Sequence, residues 1–378
     1  MREKKKILLI SCLPFGALNG ETLSLLDLMK KLEKDGFECR VISLTRDLAK
    51  HLQRITVQKP AGLRVENNIC TCALQGISME TVIASGKVQD VENVFRGMVY
   101  RMAPDIVFIR CPDFVSLRII KDLRIPKYFF VHDAFSVDPK YGFVSKKDFC
   151  SLGKDVRPIA VSAFLMNKLK AISKRKARLL YPFVDKKKFL AKRTGGDRIT
   201  IMNNNPYKGK IIFESLAGLF PAYRFLACKG WGKDSGGANF KNLEHMDMTN
   251  DARRILSRTK ILLCPSLIDD GYPRTIVEAF LNGIPVVANK VGGIPESIGD
   301  AGHLINVRPQ RKMPLDRYCS DARLHRVAVV QYAKIIDKLM EDDSYYRLWS
   351  KTAEKAYFRI EGEYQLQYKG FLKEISSI

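Results

Sequence analysis

Asp270 and Glu278 stand eight residues apart within Ile261–Leu304, and Gly292-Gly293 follows them in the same stretch. Carboxylates at such a spacing can accept hydrogen bonds from ligand hydroxyls at two points, each charge-assisted bond contributing about 1.5–3 kcal/mol. Lys208, followed by Gly209, supplies an ammonium group after an apolar run and before a helical one. Arg274 and Thr275 open a helical segment, so their backbone N–H groups favour anionic oxygens. His132 closes the apolar run Tyr128–Val131, and Gly20 and Gly230 sit in loops where backbone without a side chain permits close approach.

These residues need elements to hold them. Ile261–Cys264 is a short apolar run bounded by Pro265-Ser266, which predicts a buried strand. The acidic loop Leu267–Tyr272 comes next. Arg274–Leu281 then has helical spacing, with Ile276, Val277 and Phe280 on one side and Asn282-Gly283 as its stop. Pro285–Ala288 is a second buried strand and leads to the glycine loop Gly292–Glu296. Strand, loop, helix, strand and glycine loop make half of a doubly wound α/β sheet, whose ligands bind at the carboxyl ends of strands.

The remainder follows the same rhythm. Lys6–Cys12 and Cys39–Leu44 read as strands around an amphipathic helix Glu21–Asp35, with Leu25, Leu28 and Leu32 on one face and Gly36 as its stop. Residues 45–87 have no legible period. Val88–Met102 reads as a helix, and Pro104–Ile109, Tyr128–Val131 and Ile159–Ser162 as strands, before Arg178–Phe183 ends a first half. Ile199–Met202 and Arg224–Cys228 are strands of a second half, with a helix at Ile211–Leu219, and Leu243–Met248 precedes a helix at Asp251–Ser257. Three separate helices are expected after residue 310: Leu324–Met340, Ser344–Ala356 and a last amphipathic segment ending YKGFLKEI.

A chain of 378 residues is comfortable for two domains. No run of eighteen apolar residues predicts a membrane span. The basic start MREKKKILLISCLPFG imitates a signal peptide, but its apolar run is short and fits a first strand better, so a cytoplasmic protein is expected. Nine cysteines, several in strand-like runs, read as small buried hydrophobes of a reducing compartment. Cys70-x-Cys72 lacks zinc-finger spacing and five histidines are scattered, so no metal site is expected.

The formal charge is +24 and uneven: residues 1–200 hold 38 basic and 20 acidic side chains. Lys168–Lys188 is the densest basic block. A solvated surface is one reading; contact with an anionic acceptor or the inner face of an acidic membrane, as a peripheral protein, is the other. Aromatics do not interleave with the block, so no nucleic acid is expected.

The acid pair at this spacing, preceded by Pro265-Ser266 and followed by NGIPVVA (Asn282–Ala288) and GGIPE (Gly292–Glu296), resembles the retaining, nucleotide-sugar-dependent glycosyltransferases of family four, with the GT-B fold. The resemblance extends over nearly the whole chain and is dense only here. It implies two Rossmann-like, doubly wound domains facing across a cleft: an acceptor-binding domain at residues 1–183, a nucleotide-sugar-binding domain at 184–355, and a helix at 356–378 returning to the first domain. YPFVDKKKF, from Tyr181, is similar to the family's crossover between domains.

The resemblance also assigns roles. Lys208 would neutralise the donor diphosphate, Glu278 would accept the ribose hydroxyls, and Asp270, where relatives carry glutamate, would meet the donor sugar. His132 would hydrogen-bond the sugar or the departing phosphate. Gly20, Gly230, Gly292 and Gly293 would line the donor, and Trp231 either stacks on its base or closes a loop. The family places an arginine shortly before the lysine, where this chain has Met202 and asparagines; the Arg274 side chain is the candidate substitute. Transfer would proceed with retention, without metal or other cofactor, from a UDP or GDP sugar to an acceptor in glycan, glycolipid or glycosylated-metabolite biosynthesis. A weakened relative serving as a partner subunit, and an epimerase or phosphorylase on the same fold, are the alternatives.

Overall fold

The computed structural model describes residues 3–11, 15–16, 19–84, 88–110, 114–121, 123–139, 153–192, 195–230, 238–307 and 313–378. It divides into two compact units, Met1–Phe183 with Tyr364–Ile378, and Val184–Glu363.

The first unit is built on a nine-stranded sheet. Its strands are β1 (Lys6–Ser11), β2 (Glu38–Thr45), β3 (Ala61–Glu66), β4 (Ile69–Leu74), β5 (Ile77–Ile83), β6 (Ile106–Arg110), β7 (Lys127–Val131), β8 (Val156–Ala160) and β9 (Arg178–Leu179). They lie in the order β3-β4-β5-β2-β1-β6-β7-β8-β9. β1 is central because KILLIS is apolar on both faces: Ile7, Leu8, Leu9 and Ile10 are buried, paired in parallel with β2 and β6.

Residues 45–87, opaque in sequence, hold a helix Leu48–Thr56 and the antiparallel set β3, β4 and β5. β3 is exposed at every position, so no apolar alternation marks it. The tight turns are left-handed at Asn67-Asn68 and Gln75-Gly76, the residue types that such hairpins favour.

The second unit has six parallel strands, β10 (Arg198–Ile201), β11 (Arg224–Cys228), β12 (Leu243–Met246), β13 (Thr259–Cys264), β14 (Val286–Asn289) and β15 (His303–Ile305). Their order is β12-β11-β10-β13-β14-β15. The strand order reverses between β10 and β13, and at such a switch point the two following loops part to leave a binding crevice.

The three expected C-terminal helices are two. Arg326–Glu341 is one, and Asp343–Ser376 runs unbroken for 34 residues. Only Gly362 and Gly370 interrupt its propensity, and glycine costs a helix about 1 kcal/mol, too little to end one that is packed along its length. Buried Ala353, Ala356, Tyr357, Ile360, Tyr364, Tyr368, Phe371 and Ile375 recur every three or four residues. The helix starts in the second unit and finishes in the first, where Tyr364, Tyr368, Phe371 and Ile375 join the core of Ile7, Phe108 and Tyr128. Among the described residues no helix is long and apolar enough to cross a membrane.

Candidate functional site

In the second unit the loops after β10 and β13 bring Lys208 and Asp270 together. Asn205 caps the short 3-10 turn Pro206–Lys208, its side chain accepting the Lys208 N–H at 3.0 Å. Gly209 follows with φ +85°, and a Cβ there would meet the Pro265 carbonyl oxygen at 1.9 Å. Glycine therefore lets the lysine turn press against the end of β13. The Leu267 N–H donates to the Tyr207 carbonyl at 2.9 Å. Lys208 Nζ consequently reaches the Asp270 carboxylate and forms an ion pair with it.

The glycine loop closes against the same place. The Gly293 N–H donates to the Asp270 carbonyl at 2.7 Å. A Cβ on Gly292 would lie 2.4 Å from that carbonyl oxygen, and one on Gly293 only 1.8 Å from the Gly271 oxygen. The pair's bareness is thus used first on the acidic loop. Asn289 and Tyr332 fasten the loop from beneath: Asn289 Nδ2 donates to the Ser266 carbonyl at 3.0 Å, and the Tyr332 hydroxyl donates to Asn289 Oδ1 at 2.9 Å. At the end of β13, burial, with the charge of Asp270 added, pushes the Cys264 thiol up to about 12. It has no thiolate character.

The helix Arg274–Leu281 begins where this loop ends. No side chain caps its N-terminus, since Pro273 stands at the cap position. Glu278 lies one turn in, buried, with the Arg274 Nε 3.6 Å from its carboxylate. The Arg274 guanidinium also stacks over the Phe189 ring at 5.4 Å. Asn282 sets this arrangement: its Oδ1 accepts the Ala191 N–H at 2.8 Å, and its Nδ2 donates to the Phe189 and Glu278 carbonyls. Thr275, between the pair, is half-buried.

Two acids eight residues apart therefore meet two different cations. Lys208, Asp270, Gly292 and Gly293 form one cluster, while Arg274 and Glu278 form a buried pair on the next helix. Gly230 packs elsewhere, against the Asn203 side chain. Met202, at the position where an arginine is expected, packs on Leu226, Cys228 and Ile255. Trp231 lies outside the described residues.

The first unit presents Gly20 and His132. Gly20 is the first residue of the helix Gly20–Lys34, capped by Asn19, with open space where a Cβ would go. Glu21 beside it pairs with Arg110 at the end of β6, at 3.3 Å. His132 follows β7 and stacks on Phe130, ring centroids 6.1 Å apart; Asp133 next to it accepts from the Ser136 N–H and hydroxyl, both at 2.8 Å. Sequence reasoning missed the fasteners Asn282, Asn289 and Tyr332. The NG pair marked Asn282 only as a helix stop, and nothing marked the other two.

Solved structures share this architecture over their full lengths. The crystal structure of Anabaena HepE in complex with UDP and glucose matches with a TM-score of 0.71 and 16% identity, over 99% of this chain and 100% of that one. Sucrose-phosphate synthase from Thermosynechococcus elongatus matches at 0.70 and 13%, over 99% and 100%. The E. coli trehalose-6-phosphate structure bound with UDP-2-fluoro glucose matches at 0.65 and 9%, over 99% of each. The fold is GT-B. Within it, residues 232–313, which include the acidic loop, Glu278 and the glycine pair, match the family profile of the Glycosyl transferases group 1. No curated protein sequence matches the chain. At these identities the structural likeness is one of GT-B fold.

Proposed function

We propose that this GT-B protein is a cytoplasmic retaining glycosyltransferase that moves a sugar from a nucleoside diphosphate, UDP or GDP, to an acceptor. The observation that carries the reading is the meeting of Lys208 and Asp270 at the switch point of the second sheet, over the Gly292-Gly293 loop. An ammonium there suits a diphosphate and a neighbouring carboxylate suits sugar hydroxyls.

In the proposed reaction the bond from the anomeric carbon to the diphosphate breaks through an oxocarbenium-like state. Negative charge grows on the leaving oxygen. Lys208 and the N–H groups of Arg274 and Thr275 stabilise it. Pro273 has no N–H, so this helix start offers one donor fewer than another residue would give. Glu278 accepts the ribose hydroxyls, and Arg274 holds its carboxylate in place. The family resemblance assigns His132 and Gly20 to the donor sugar and its phosphate. The acceptor attacks the face the diphosphate leaves, and the chemistry asks for no metal or other cofactor.

The large positive charge of residues 1–200 supports an anionic or membrane-associated acceptor, with Lys168–Lys188 as the peripheral contact. The test is release of UDP or GDP from a panel of donors, compared with Glu278→Ala. Turnover that Glu278→Ala abolishes supports the reading. Donor binding without turnover on any acceptor assigns the protein instead to the partner subunits.

A further inference from the structure

Three of the basic residues that crowd Lys168–Lys188 meet a cavity that the transfer chemistry does not use. The cavity, of about 420 Å³, lies in the first unit and is lined by Tyr128, Arg157, Arg175, Lys176, Arg178 and Glu374 with apolar neighbours from β8. Tyr128 and Arg157 are paired in register at the amino ends of β7 and β8, and Arg178 pairs with Ile159. His132 follows the other end of β7, four residues on, or about 13 Å at 3.3 Å per residue. This is the opposite edge of the sheet from the one that serves a donor.

The lining carries four cations and one carboxylate. Glu374 accepts from the Tyr128 hydroxyl at 2.8 Å, from Arg157 Nη1 at 2.9 Å and from Arg178 Nη2 at 2.6 Å. Burial works to raise the Glu374 carboxyl, but the Tyr128 and Arg157 hydrogen bonds and the charge of Arg178 outweigh it and hold it below its ordinary value. One carboxylate thus holds two guanidiniums through one nitrogen each. A guanidinium has five N–H donors in a rigid fork, so donors remain on both after Glu374 is served. Arg175 donates to the Gly153 carbonyl at 2.8 Å, and Lys176 is exposed. Asp155, the acid nearest Arg157 in sequence, pairs with the buried Lys127, and the charge of Arg175 also acts on it.

The hydrogen bonds that fasten Glu374 on the last helix come from Tyr128, Arg157 and Arg178. Arg175 and Lys176 add two charges that such a clamp does not require. Forks already oriented by Glu374 lose little freedom when an anion arrives, which favours binding. We propose that this cavity is a phosphate-binding site, built to hold a phosphate group by Arg157, Arg178, Arg175 and Lys176. The group belongs either to a soluble phosphorylated compound or to a lipid head group. The inference does not rest on the transfer reaction, and it gives Arg175, Lys176 and Arg178 of the block read above as a peripheral contact a defined ligand.

The test uses the full chain carrying Lys208→Ala, so that phosphate bound at the candidate donor site does not contribute. Inorganic phosphate is titrated by calorimetry against this protein and against two further versions, one with Arg175→Gln and Lys176→Gln, the other with Arg157→Gln. The expected result is saturable binding that each version weakens by about tenfold, roughly one charged hydrogen bond. In the chain with Lys208 intact, Arg175→Gln and Lys176→Gln leave donor binding unchanged. Sedimentation with phosphatidylcholine vesicles containing phosphatidylglycerol, lost in the same versions, assigns the phosphate to a head group; saturable phosphate binding without sedimentation assigns it to a soluble compound. Phosphate binding that none of the substitutions alters, or no binding at all, overturns the site.

Discussion

The ammonium of Lys208 lies on the carboxylate of Asp270, 62 residues later in the chain. Neither residue comes from the same element as the other, and each is carried by a loop that leaves the carboxyl end of a strand. A glycine on each side makes the approach: Gly209 against Pro265, and Gly293 against Gly271.

Lys208→Ala is expected to lower the transfer rate by about 10–100-fold, the worth of a charged hydrogen bond to the leaving phosphate. Global stability should stay within about 2 kcal/mol, because the pair is partly solvated and held from both sides by backbone hydrogen bonds. Steady-state kinetics with a thermal melt measures both. An unchanged rate removes Lys208 from the reaction.

Gly293→Ala and Gly20→Ala should separate. The first drives a Cβ to 1.8 Å from the Gly271 carbonyl oxygen and must displace the acidic loop, at about 2 kcal/mol or more. The second adds a methyl group in open space at a helix start, and is neutral or stabilising by up to about 1 kcal/mol. Loss of transfer in Gly20→Ala with full stability would mark that backbone as facing the ligand.

Arg274 and Glu278 have side chains only 4% and 6% exposed. Removing either leaves a charge buried without its partner and should destabilise by about 3–5 kcal/mol. The double change Arg274→Met with Glu278→Leu should recover most of that stability and none of the donor binding. Denaturant unfolding beside a donor titration reads the two effects. If Arg274→Ala keeps normal activity, neither a phosphate contact nor the orientation of Glu278 depends on it.

Stability should fall on mild acidification. Burial lowers His51, with the charge of Arg54 adding to it, and lowers His303 from its ordinary 6.5 to about 4, with Lys338 adding to it. Burial also lowers His325, against the Tyr318 carbonyl. A base depressed by folding stays neutral in the native chain while the unfolded chain takes up its proton. The contribution is complete above about pH 6.5 and is lost as pH falls from there toward 4. Melting temperatures between pH 7.5 and 4.5 measure it, and His303→Gln should flatten part of the slope.

The elements around the site were legible because their signals are local. Arg274–Leu281 announces itself through apolar spacing and the stop at Asn282-Gly283, and the short apolar runs of β10, β13 and β14 are bounded by turn residues. The hairpin β3–β4 was not, because an edge strand exposed on both faces has no period to read. The last helix was divided after Ala356, whereas buried residues from Ala353 to Ile375 pack one continuous helix along its length. At the site, residue types suggested which acids and cations mattered. The pairing of Asp270 with Lys208 was a tertiary matter, made across the switch point, whereas Arg274 and Glu278 meet as neighbours one turn apart on a single helix, with Phe189 beneath Arg274.

The most direct test is calorimetric titration of the intact chain with UDP-glucose, other UDP sugars and GDP sugars, repeated with Lys208→Ala and with Glu278→Ala. The account predicts saturable binding of at least one donor, weakened about tenfold or more by each substitution. A chain that binds no nucleotide sugar, or binds one equally well without Lys208 and Glu278, contradicts it.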